Sequence, residues 1–275
     1  MTRKHPLNRV IHMQLGLDTT KPRNQIARDL SRGGSVAIWR TLLCLASMLC
    51  ALGSAQAGAL PPAFEARYEV HVAGLYAGQG ILSLKPVPDG GWLFTVETQP
   101  EGLAALLAAQ TTDRSELELS DAQARPIRYT QSEGKDRQTQ LDAGFDWVRR
   151  EVSVTDSSGQ RAIPLPPGPI QDRASVYPAL MAALEANSLP EQVQLFDGKR
   201  VKTYALALHP GDVLDTAVGR LDTVRVQRGV EGDKRISSFW CAPALDYLPV
   251  KVIKTKRGQE ILRLTLLSVT GLGKP

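Results

Sequence analysis

The chain is poor in the residues that usually announce chemistry. Of its 275 residues only three are cysteine and four histidine, and aromatics make up 5%. His71 and His209 stand far apart, with no second histidine or cysteine at ligand spacing, so no metal site is expected. No G-x-S-x-G elbow, phosphate-cradling glycine loop or dinucleotide fingerprint occurs, so neither catalytic residues nor a cofactor are assigned. Val213-Leu214-Asp215-Thr216 opens like an aspartic peptidase loop, but Ala217 stands where that loop needs glycine. An apolar run of the roughly 20 residues that span a bilayer is also missing. Excess charge disappears once the chain is divided. The formal net charge of +5 arises in residues 1–57, which hold eight bases against two acids; the remainder is close to neutral. A neutral body has no electrostatic footprint for nucleic acid.

What is present begins with a leader. After Arg40 comes a short apolar stretch, 41–52, then Gly53-Ser54 and the small-residue site Ala55-Gln56-Ala57. A basic flank, a short apolar core and an A-x-A site form a secretory signal peptide, cleaved near Ala57-Gly58, which places the remainder in the periplasm without a transmembrane span. The polar residues 1–35 are either a long leader or lie before a true start near Val36. Cys44 and Cys50 follow bulky leucines, which argues against lipid attachment at either, and cleavage removes both. Cys241 is then alone and cannot form an internal disulfide. It is read as a buried small hydrophobe or as a reactive thiol.

From 58 to 275 the pattern predicts a single antiparallel β domain. Period-2 alternation marks strands at 64–73, 80–85, 92–98, 114–119, 127–132, 137–141 and 147–155, broken by a short helical piece at 102–109. A Pro-rich stretch at 163–169 cannot hold a regular ladder and reads as an extended linker. It leads into the one clear helix, 172–185, where Val176, Leu180, Met181 and Leu184 fall at helical spacing and Asp172 or Ser175 supplies the cap. Strands resume at 192–196 and 200–208 around the Asp197-Gly198 turn; His209-Pro210-Gly211-Asp212 is read as another turn. Further strands follow at 213–217, 221–228, 235–240, 249–255 and 260–269. So much sheet with one helix hides its apolar face by curling. The expected fold is a strongly curved antiparallel sheet or incomplete β-barrel with the helix packed against it, and a β-sandwich is the alternative.

The order of features resembles a known family, exported bacterial proteins carrying the domain of unknown function 3108. The resemblance covers roughly 64–269. It is carried by Tyr68-Glu69-Val70 with Gly74-Leu75 and Gly78, by Pro126-Ile127-Arg128-Tyr129, and by Asp172-x-x-Ser175-Val176-Tyr177. Asp197-Gly198-Lys199-Arg200 and Trp240 with Leu248-Pro249-Val250 complete it. The family has no assigned activity. The resemblance implies a shape similar to the curved-sheet lipoprotein carriers of the bacterial envelope.

Candidate ligand-binding residues are Asp172, Ser175, Tyr177 and Trp240. The first two open the helix, whose N-terminus either is simply capped or presents N–H groups to an anion. Trp240, beside Phe239, lines a cavity or fills the core. Lys251, Lys254 and Lys256 are read as a cationic rim for anionic lipid or glycan, or as solvent-facing protection of a strand edge. The carboxylates Glu97, Glu101, Asp113, Glu116 and Glu118 are read as a solvated strand face. The leading functional reading is a non-enzymatic periplasmic protein binding a lipid-like or other envelope ligand in the cavity of a curved sheet. An envelope assembly factor docking protein partners through strand edges is second, and a hydrolase with paired carboxylates ranks third.

Overall fold

The computed structural model describes residues 61–273, apart from 89, 107, 121, 122, 135 and 231. The expected signal peptide, Cys44 and Cys50 lie outside the described residues. Alternation of apolar and polar side chains turns most of the described chain into strand. The first run is β1 (Phe64–Val72), β2 (Leu75–Pro86), β3 (Trp92–Pro100), β4 (Thr111–Ser120), β5 (Gln123–Glu133), β6 (Gln138–Asp146), β7 (Glu151–Asp156) and β8 (Gly159–Pro164). A two-residue strand, β9 (Ile170–Gln171), precedes the helix α1 (Val176–Glu185). The second run is β10 (Gln192–Phe196), β11 (Val201–Thr216), β12 (Gly219–Arg228), β13 (Arg235–Ala242), β14 (Leu248–Lys256) and β15 (Gln259–Thr270).

All fifteen strands form one sheet, in the order β8-β7-β6-β5-β4-β3-β2-β1-β15-β14-β13-β12-β11-β10-β9. Every pairing is antiparallel except the parallel β9–β10 pair. Because β15 returns to pair with β1, the strand order is that of a barrel with one seam left open, between β8 and β9. The chain crosses that seam through Leu165-Pro166-Pro167-Gly168-Pro169, whose prolines lack the N–H a ladder needs. This is the curved, barrel-like sheet with one α-helix that the alternation predicts; with one sheet instead of two, it is not a sandwich.

Side chains close across the opening. Phe196 of β10 meets Tyr129 of β5 and Phe145 of β6 edge-on, at 6.3 and 5.8 Å between ring centres. Gln171 donates to the carbonyl of Ala124 at 2.7 Å, and Arg161 to that of Gly198 at 3.1 Å. The core is one cluster shared by both halves of the sheet and the inner face of α1.

The helix starts where two polar residues satisfy one another. Asp172 Oδ1 accepts from the N–H groups of Ala174 and Ser175, at 2.8 and 2.7 Å, while Ser175 Oγ accepts from the N–H of Asp172 at 2.7 Å. This reciprocal pair is a capping box, with Asp172 in the capping role and Ser175 already helical in conformation. Pro178 falls in the first turn, where its missing N–H costs little.

Four local expectations are corrected. Residues 147–150 form a turn instead of starting a strand, because Asp146 Oδ1 accepts from the N–H groups of Val148 and Arg149. Residues 159–164 form β8, a strand that enters the expected linker. The piece expected at 102–109 shrinks to a 3-10 turn, Gly102–Leu106. And 209–212 is no turn: β11 runs straight through it over a bulge. Thr223 explains that survival, since its hydroxyl donates to the Asp212 carbonyl at 2.6 Å and accepts from the Asp212 N–H at 3.2 Å. The close approach needs Gly211, because a Cβ there would sit 2.0 Å from the Thr223 carbonyl oxygen. Gly211→Ala is therefore expected to cost about 2–3 kcal/mol of unfolding free energy in urea titration. A loss below 0.5 kcal/mol would show that the bulge adjusts freely.

Candidate functional site

Register places two rows of side chains side by side on the inner face of the second half-sheet. One row is apolar: Val70, Leu264, Val252, Phe239, Val226 and Leu208 are successive cross-strand partners. The next row, two residues along each strand, reads Val72, Leu262, Lys254, Ser237, Arg228 and Leu206. Two cations thus occupy positions that alternation assigns to the interior.

Between this face and α1 lies a cavity of about 430 Å³. Val176, Leu180 and Ala183 bring one stripe of α1 to its wall, and Leu206, Val226 and Phe239 form the opposite side. Tyr177 and Arg228 also line it. Tyr177 stacks on Phe94 of β3 with ring centres 6.0 Å apart and meets Phe239 edge-on at 6.2 Å.

Arg228 is half-buried. Its guanidinium lies over the Tyr204 ring, 5.0 Å from the centre, and Nη2 donates to Ser237 Oγ at 3.1 Å. Burial weakens the hold of this guanidinium on its proton, and the Tyr177 and Tyr204 hydroxyls oppose the effect. Lys254, one strand beyond Ser237, is lowered to about 8, first by burial and then by the charges of Arg228 and Arg173, with Asp113 acting the other way. Arg173 already has a counter-charge, Asp113 Oδ2 at 3.6 Å, and Tyr129 donates to the other oxygen of Asp113 at 2.7 Å. Among the described residues Arg228 and Lys254 form no ion pair, while Arg173 feels the charges of both Asp113 and Asp197.

The residues expected from sequence are scattered. Tyr177 is on the cavity wall. Asp172 and Ser175 are fully buried beside it and committed to each other; the second oxygen of Asp172 accepts from Ser115 of β4 at 2.5 Å. Burial raises Asp172 to about 6, against the pull of its donors. Trp240 points to the opposite face from Phe239, as neighbours in a strand must. There its indole donates to Asp212 Oδ2 at 2.8 Å, and Lys251 lies 4.9 Å from the ring centre. The three lysines therefore form no common rim: Lys251 is outside on Trp240, Lys254 turns inward, and Lys256 is exposed at the strand end. Asp113 likewise leaves the solvated face on which Glu116 and Glu118 remain.

The sequence pattern alone does not mark Arg228, Arg173 and Asp113 as ligand-site residues. Arg228 and Asp113 carry a legible signal, charge in phase with core positions, since Arg228 follows Val226 at spacing two and Asp113 precedes Ser115 and Leu117; Arg173, just ahead of the helix, carries none. Cys241 is fully buried, and burial pushes its thiol far above the ordinary range. In native protein it is expected to resist an aromatic disulfide reagent for hours and to react at once in denaturant; rapid native labelling would contradict its burial. No group of three metal-ligating side chains occurs among the described residues, and no helix there is long and apolar enough to cross a membrane.

Comparison with known proteins gives one family match. The family model described as "Protein of unknown function (DUF3108)" covers residues 67–265. No curated protein matches. A solved β-barrel-like protein of domain of unknown function DUF1849 from Brucella abortus is 13% identical, with a TM-score of 0.47 over 76% of this chain and 97% of that one. The crystal structure of MucB is 13% identical with a TM-score of 0.32, over 84% of this chain and 60% of that one.

Proposed function

Because the chain belongs to the DUF3108 family of proteins of unknown function, we propose its role from its own geometry: a non-enzymatic protein of the bacterial periplasm that binds a lipid-like envelope ligand in its curved sheet. The observation that carries this reading is the cavity of about 430 Å³ between α1 and the inner face of β11 to β13. Its walls are mostly apolar, with Arg125, Arg150 and Arg228 among the polar groups that line it, and its size falls within that of small-molecule binding sites, roughly 300 to 1,000 Å³. The leader at 1–57 supports export. Native mass spectrometry of protein purified from its host is expected to show an added mass that solvent extraction releases. Leu180→Trp, which fills the cavity, should abolish it. Protein that carries nothing and takes up no apolar probe would overturn the reading. N-terminal sequencing of exported protein should begin near Gly58, and an intact Met1 would overturn the export part.

A second reading, docking of an envelope protein through a strand edge, draws on β8, which ends the sheet with one side unpaired and most of its residues exposed. Crosslinkers placed along Gly159–Pro164 would then trap one defined protein in cells. Failure to trap any would remove this alternative.

A further inference from the structure

We propose that the cavity takes a single-chain amphipathic anion, with its carboxylate or phosphate held by Arg228 on the cavity wall, Lys254 adding its charge from beyond Ser237, and its hydrocarbon tail against Val226, Phe239 and Leu180. This rests on the cavity reading above and adds the charge and shape of the occupant.

The first support is missing charge compensation. Arg228 carries five N–H donors in a fixed fork. One hydrogen bond to Ser237 and the face of Tyr204 leave most of that fork unused. Lys254 makes no hydrogen bond or ion pair among the described residues, while the nearby Arg173 is occupied by Asp113. A half-buried cation loses part of its hydration, and an anion or a dense set of acceptors offsets that loss. Arg228 and Lys254 carry this cost on the two strands that flank Ser237, and neither meets a carboxylate among the described residues.

The second support is spacing. The cationic row adjoins an all-apolar row two residues away on every strand, about 7 Å by strand rise. Head and tail of an amphiphile separate on that scale. The depressed proton affinity of Lys254 has the same origin, since burial and neighbouring positive charge are what a bound anion would offset. The third support is size. At about 430 Å³ the cavity lies near the lower end of ligand sites, which suits one chain.

The test uses the purified full chain and three probes in calorimetric titration: dodecanoate, 1-dodecanol and inorganic phosphate. Dodecanoate is expected to bind at least tenfold more tightly than dodecanol, and phosphate alone at least a hundredfold more weakly than dodecanoate. Arg228→Gln should bring dodecanoate down to the dodecanol level, and Arg228→Lys should restore part of the difference. Far-UV circular dichroism checks that the variants fold, and the wild-type comparison needs no variant. Equal binding of dodecanoate and dodecanol to wild type would overturn the anionic head and leave the cavity reading standing. Phosphate binding as tightly as dodecanoate would overturn the tail and make this a site for free anions. If neither chain-bearing probe binds, and Leu180→Trp changes nothing, the cavity reading itself has failed.

Discussion

Asp172→Ala is expected to lower the unfolding free energy by about 3 kcal/mol at neutral pH, the sum of a lost helix cap and stranded buried donors. The carboxylate serves the N–H groups of Ala174 and Ser175 and the hydroxyl of Ser115, and it has no exposed surface. Its second effect is a pH dependence. Burial holds Asp172 at about 6, above the ordinary aspartate value, so the folded protein keeps a proton that the unfolded chain has released. Its contribution to stability is therefore greatest below about pH 4, falls as pH rises from 4 through 6, and is flat above that, a total on the order of 2–3 kcal/mol. Other carboxylates act in the opposite sense. Asp142, held low chiefly by the hydrogen bond from Arg128, loses its contribution as pH falls. The difference between wild type and Asp172→Asn isolates the effect, since asparagine keeps an acceptor for the two N–H groups and cannot titrate. Urea midpoints at pH 4, 5, 6 and 7.5 should converge or cross for the two proteins as pH rises. Parallel profiles would mean that Asp172 does not titrate in this range.

Tyr177→Ala is the second large change. The ring lies between Phe94 of β3 and Phe239 of β13, so one side chain on α1 ties the first half of the sheet to the second. Removing it leaves a void between two aromatics and is expected to cost about 4 kcal/mol, within the range for large aromatic truncations in cores. Tyr177→Phe keeps both ring contacts and should cost less than about 1 kcal/mol, because the hydroxyl makes no hydrogen bond among the described residues. Urea unfolding followed by tryptophan fluorescence measures both. A loss below 1 kcal/mol for the alanine variant would show that the halves of the sheet hold together without this bridge.

Legibility of the sequence varied with the range of the interaction that decided each feature. The capping box at Asp172 and Ser175 spans four residues and shows directly as a polar pair ahead of an apolar period. The Asp197-Gly198 hairpin is equally local. His209-Pro210-Gly211-Asp212 has the composition of a turn, yet Thr223 on the neighbouring strand mends the ladder that Pro210 interrupts, and no local pattern contains Thr223. Trp240 and Phe239 are adjacent in sequence, yet neighbours in a strand face opposite ways, and of the two Phe239 lines the cavity.

Residue pattern alone makes this chain mostly strand, requires the sheet to curl, and places one helix after the prolines. Those are consequences of short-range periodicity and of how much apolar surface must leave water. Closure of the sheet around the helix sorts the inward positions into core and cavity. Arg228 and Lys254 come together because β12, β13 and β14 pair in one register. Arg173 and Asp113 reach them because the curled sheet and its helix bring distant parts of the chain to one place. Periodicity gives a side chain its face; closure of the sheet gives it its neighbours, and neighbours set its charge balance.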